Sequence, residues 1–268
     1  MDGVLYARML KAQSRSISSY AFGMVLYLWL FIWVFPTFAG SQSLNNLLRQ
    51  MPPGLMKVLG YTVGITHLSN FLSGEFYSLL YLVIMAIYVI FGATRLVAHL
   101  IDTRAMAYLL ATPVSRVKVA VAEAFVLLTG VLIIGGLTTA GGLLGAHWFV
   151  HHAGIDAGRF VEMNIVGALL FCVVAGYCYI FSCVAPDERR ALSFSAVLTV
   201  AFYGFHVIGD MSHKFSWMNH LSLFASFNSQ NLVQGHSHFA ASSIGLGIAA
   251  VVLFAAGIIA FSKRQLAL

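Results

Sequence analysis

Long apolar blocks alternate with short polar intervals along this chain, and the blocks share one length. Six stretches stay apolar over about 20 residues, enough for a helix to cross the hydrocarbon core. They are 20–40, 76–98, 121–146, 163–185, 191–209 and 242–261, and none holds a run of charges. The pattern predicts an all-α integral membrane protein with six transmembrane helices, the whole of 1–268 forming one transmembrane domain. Three flanking segments add to the six spans. An interface helix is expected over 1–18, a short helix over 102–116 between the second and third spans, and a re-entrant outer segment over 210–240 between the fifth and sixth.

Composition agrees with a lipid solvent. Only 9% of the 268 residues are charged and 60% are hydrophobic, far too little charge to cover a soluble domain of this length. Twenty-four glycines suit helix backbones that approach closely in a membrane. The net charge of +6 is scattered between apolar blocks, so it reads as the basic flanks of membrane helices and not as a nucleic-acid surface. Cys172, Cys178 and Cys183 fall in one apolar block, where cysteine behaves as a small hydrophobe. The first block lacks a small-residue cleavage site and reads as an uncleaved helix.

Orientation follows the basic residues. Eleven of the 15 Lys and Arg fall in alternate segments that include both termini: Arg8, Lys11 and Arg15; Arg95, Arg104, Arg116 and Lys118; Arg189 and Arg190; Lys263 and Arg264. Only Arg49, Lys57, Arg159 and Lys214 lie on the other side, in longer loops. The positive-inside rule therefore places both ends in the cytoplasm of a multi-pass cell-membrane protein.

Two cytoplasmic segments carry candidate function. Arg8, Lys11 and Arg15 recur at spacings of three and four, on one face of an amphipathic interface helix that would contact membrane lipid. In the stretch Asp102 to Arg116, Asp102 suits a helix cap, Met106, Leu109 and Leu110 form an apolar face, and Thr112-Pro113 ends the helix. Ser115 and Arg116 then lead into the third span. Such a helix suits docking into a partner's groove.

Leu109-Leu110-Ala111-Thr112-Pro113-Val114-Ser115-Arg116 resembles the "LLATPVSR" signature of ABC-2-type permeases, the membrane subunits of bacterial ABC exporters. The octapeptide sits where that family has it, in the loop between the second and third spans. The basic N-terminal helix, Met51-Pro52-Pro53-Gly54-Leu55, the Asp187-Glu188-Arg189-Arg190 turn and the closing Phe261-Ser262-Lys263-Arg264-Gln265-Leu266 agree with the family as well. Where relatives often show an acidic pair and a glycine upstream, this chain has Leu100, Ile101 and Arg104. The resemblance implies that Asp102, Met106, Leu109, Leu110, Thr112, Pro113, Ser115 and Arg116 form a coupling helix seated on a cytosolic ABC ATPase. It implies a second permease copy, as homodimer or heterodimer, and a path lined by the first, second and fifth spans. The cargo class expected from aromatic and Met-rich walls is an amphipathic or hydrophobic peptide, antibiotic or lipid. Sodium extrusion, or a non-transporting scaffold or sensor on the same fold, are the alternatives.

No G-x-x-x-x-G-K-[ST] loop occurs in the chain, so it is not itself an ATPase of that type, and ATP with Mg would be bound by the partner. No cofactor, catalytic residue or nucleic-acid site is expected in this chain. Ionisable groups inside the spans are few. Glu123 lies two turns into the third span, where Lys118 or Arg116 is expected to neutralise it. His206 reads as a hydrogen-bonded packing residue. Eight histidines gather on the outer side, among them His147, His151 and His152, yet no carboxylate or cysteine cluster accompanies them, and no metal site is expected.

Overall fold

The computed structural model describes residues 3–39, 67–103, 106, 115–150, 155–211, 213–235 and 239–264. Among these, six helices are long and apolar enough to cross a membrane: Gly3–Thr37, Leu68–Asp102, Arg116–Phe149, Ala157–Val184, Glu188–Met211 and Phe239–Lys263. They are called the first to sixth spans below. The protein is a multi-pass, all-helical membrane protein, and the contacts of Tyr6 with Thr129, Trp29 with Gly141 and Arg116 with Arg264 put Gly3 and Lys263 at the same end of the bundle.

The first span belongs to a single helix, Gly3–Ala39. The separate interface helix expected over 1–18 is continuous with it. No glycine or proline interrupts residues 4–22, so nothing breaks the backbone ladder where the sequence turns from amphipathic to apolar. Arg8, Lys11 and Arg15 are exposed. Leu5, Tyr6, Met9 and Leu10 pack against the core, and the Tyr6 and Thr129 hydroxyls share a 2.8 Å hydrogen bond.

The second span begins at Leu68, eight residues before the apolar block does. The polar residues that hid its start are satisfied locally. Ser73 Oγ donates to the Asn70 carbonyl, and Ser229 Oγ to the Ser73 carbonyl, each at 3.0 Å. From Ser73 to Leu80 the helix widens to a π-helix. It then runs as Tyr81–Leu96, breaks at Val97 and ends in the short helix Ala98–Asp102.

The fourth span is the axis of the bundle. Its most apolar window is 78% buried, against 17% for the fifth span and 28% for the first and sixth. Small residues permit the closest approaches. A Cβ on Gly145 would lie 2.8 Å from Trp29 of the first span, and one on Gly257 would lie 2.6 Å from Tyr179. Glycine there lets backbones meet in lipid, where no hydrophobic force separates helix from solvent. Trp29 uses the proximity, donating its indole N–H to the Gly141 carbonyl at 2.8 Å.

Candidate functional site: the braced end of the bundle and its groove

At the end that holds Gly3 and Lys263, four spans are cross-tied through backbone carbonyls and a fifth through a side-chain pair. Ser182 Oγ donates to the Ala93 carbonyl at 2.8 Å and accepts from the Ala98 N–H at 3.1 Å, bridging the break at Val97. Arg264 Nη1 donates to the Cys183 carbonyl at 2.7 Å, filling one of the acceptors that a helix end leaves open. Arg116 Nη1 in turn donates to the Arg264 carbonyl at 3.0 Å. Tyr179 Oη donates to the Ala120 carbonyl at 2.9 Å, and His99 Nδ1 meets Glu188 Oε2 at 2.7 Å. Cationic heads near helix C-termini are also favoured by the backbone dipole. The result is a plate that joins the second through sixth spans.

The predicted coupling residues divide over that plate. Ser115 caps the third span, its Oγ accepting from the Lys118 N–H at 3.4 Å. Arg116 is the tie to Arg264 just described. Asp102 is exposed and closes the helix Ala98–Asp102. Met106 is 1% exposed and belongs to the chain's own core. It is therefore taken up inside the permease and is not part of an exposed docking face. Leu109, Leu110, Thr112 and Pro113 lie outside the described residues.

Glu123 departs from its expected pairing. Its side chain is 0% exposed, and neither carboxylate oxygen has a hydrogen-bond partner among the described residues. Arg116 is committed to Arg264, and the nearby Ala120 carbonyl is taken by Tyr179.

The second span carries an exposed ridge in steps of four: Leu79, Val83, Ile87, Phe91 and Arg95. Between that ridge and the fifth span lies an apolar groove of about 290 Å³, walled by Leu82, Val83, Ile87, Phe91, Ala196 and Val200 among others. Its two hydroxyls are occupied. Thr199 Oγ1 donates to the Ser195 carbonyl at 2.7 Å, and Tyr203 Oη reaches the Ser78 carbonyl at 3.5 Å. On the other flank of the ridge, toward the first span, is a smaller recess of about 160 Å³ lined by Gln13, Ser16, Tyr20, Phe91, Gly92 and Arg95. The sequence pattern places Arg264 and Glu188 only at a charged chain end and in a charged turn. Their specific partners come from other spans, which a linear pattern does not reveal.

At the opposite end, the segment after the fifth span folds back onto the bundle. It forms 3-10 turns at His213–Leu221 and Leu223–Ser226 and the helix Ser229–Gln234. Phe224 packs on Phe171 and Tyr203, and Phe227 on Tyr81, at ring separations of 5.7 to 6.4 Å. Arg159 Nη1 donates to the Val233 carbonyl at 3.3 Å. His206 sits 3.7 Å from Asp210 and 3.4 Å from Asn219, a hydrogen-bonded packing position. Among the described residues, no three of His, Cys, Asp and Glu gather as a metal site would require. His151 and His152 lie outside them.

With this geometry in place, one comparison is informative. A family model described as "Multidrug efflux system permease Rv1217c, C-terminal domain" matches residues 6–262. No curated protein and no solved structure matches the chain.

Proposed function

The chain belongs to the family of the multidrug efflux system permease Rv1217c, C-terminal domain, and from that membership we propose that this transport permease is the membrane subunit of an ATP-driven exporter of the ABC-2 type. The observation that carries the reading is the extent of the match, 6–262, which takes in all six spans. The 109–116 octapeptide supports the finer assignment. In this reading the chain pairs with a cytosolic P-loop ATPase through Leu109 and Leu110. It also pairs with a second permease domain, consistent with a family description that names one domain of a larger permease. Both termini and the coupling segment face the cytoplasm.

The braced end supplies the mechanical link. Arg116, Arg264, Ser182 and the His99–Glu188 pair join five spans, and Arg116 is the residue at which the 109–116 octapeptide ends. A displacement of that segment by an ATPase would therefore move the bundle as a body instead of bending one helix. In this reading Phe224 and Phe227, which pack onto Phe171, Tyr203 and Tyr81, serve as a re-entrant cap on the outward path. The exposed, apolar faces of the first, second and fifth spans suit an amphipathic or hydrophobic cargo. ATP-dependent accumulation of a lipophilic fluorescent dye in inverted membrane vesicles tests the proposal. Accumulation should require both this chain and nucleotide hydrolysis, and equal accumulation in vesicles lacking the chain would refute it.

A further inference from the structure

The apolar groove and the polar recess meet at Phe91, which lines both. Going along the second span from Val83 to Arg95, the surface changes once, from hydrocarbon to amide, hydroxyl and guanidinium. Those 12 residues span roughly 18 Å at helical rise, close to one leaflet's half of a core about 30 Å thick. The division of chemistry and its length are those of a lipid seen from the side.

Charge selects among lipids. Among the described residues, no carboxylate lines the recess. Of the acids at that end, Glu188 is engaged by His99 at 2.7 Å, Asp187 by Arg190 at 3.3 Å, and Asp102 lies outside the lining of the recess. Among the described residues no hydrogen bond or ion pair holds the Arg95 guanidinium, while Gln13, Ser16 and Tyr20 stand beside it with further donors. A guanidinium with neighbouring donors is the arrangement that binds phosphate oxygens through charge-assisted hydrogen bonds.

We propose that the groove and the recess form one binding site for an anionic phospholipid of the adjoining leaflet, its phosphate against Arg95 and one acyl chain along Phe91, Ile87 and Val83. The chain's end would then lie near Leu82 and Val200, deep between the second and fifth spans. The site needs only the bundle and the bilayer. It stands or falls apart from the ATP-driven reading.

Photolabelling tests it directly. The full chain is placed in phosphatidylcholine nanodiscs doped with a phosphatidylglycerol carrying a diazirine at the end of one acyl chain, and labelled peptides are mapped by mass spectrometry. Label should concentrate on residues 82–86 and 196–203. Arg95→Gln should reduce it about tenfold, the scale of one lost charge-assisted contact. Ile87→Trp, which fills the groove, should abolish it with Arg95 intact. Arg95 is exposed and outside the brace, so Arg95→Gln alone decides the matter if the tryptophan variant does not fold. Equal labelling by a phosphatidylcholine probe would overturn the proposal. So would label spread evenly over Ile244, Ile248 and Val252 of the sixth span, or a groove closed to the probe by a second copy of the chain. Because no ATPase is present, none of these outcomes bears on export.

Discussion

Tyr77 shows how a single polar atom is made tolerable in the bundle. It is fully buried, and its hydroxyl donates to Asn164 Oδ1 at 3.0 Å, while Asn164 Nδ2 donates to the Phe160 carbonyl at 2.8 Å. Removing the hydroxyl leaves an acceptor with no partner in a dry site. Tyr77→Phe should therefore lower stability by about 1 kcal/mol, read as a shift in thermal unfolding of detergent-solubilised protein. Adding Asn164→Leu should recover part of that loss, because it removes the orphaned group as well. Gly145 makes the opposite argument from space. A side chain there meets Trp29 and Ile32 at 2.8 and 2.9 Å, so Gly145→Leu should push the first and third spans apart. The expected cost is about 1–3 kcal/mol, typical of overpacking, and Gly136→Leu, with nothing within 4 Å, is the matched control.

Elements were legible in the sequence to the extent that apolar runs specify them. All six spans follow from hydropathy, since lipid demands long uninterrupted apolar helices. Their limits do not, because polar residues such as Asn70 and Ser73 enter helices when other elements satisfy them. The continuity of Gly3–Ala39 was missed for a related reason. A change of hydropathy was read as a break, although only a backbone breaker makes one. Met106 was misassigned because its apolar character fits a partner's groove and the chain's own core equally well. The brace was invisible to pattern reading, since each tie joins residues 80 or more apart in sequence or binds a carbonyl that no side chain announces. It nevertheless predicts a phenotype. Ser182→Ala removes both contacts across the break at Val97, so it should loosen Ala98–Asp102. Faster amide exchange at residues 97–103, with the third span unchanged, is the expected result.

For the whole molecule, the six spans among the described residues predict a relation between loops before any mechanism is considered. Reporter fusions after Glu188 and Leu268 should fall on one side of the membrane and a fusion after Ser229 on the other. On the positive-inside rule, the first side is expected to be the cytoplasm. The central claim is that an ATPase seated on the segment before the third span drives this bundle. Leu109 and Leu110 carry it, each contributing roughly 1.5–3 kcal/mol if buried in a partner's groove. The decisive measurement is isolation of the tagged chain from its native membranes, wild type beside the combined Leu109→Asp and Leu110→Asp variant, with assay of bound P-loop ATPase and its hydrolysis. The wild-type chain should retain a stoichiometric, active ATPase, and the variant should insert normally yet lose it. A wild-type permease that brings down no ATPase, or a variant that keeps it fully coupled, would contradict the account.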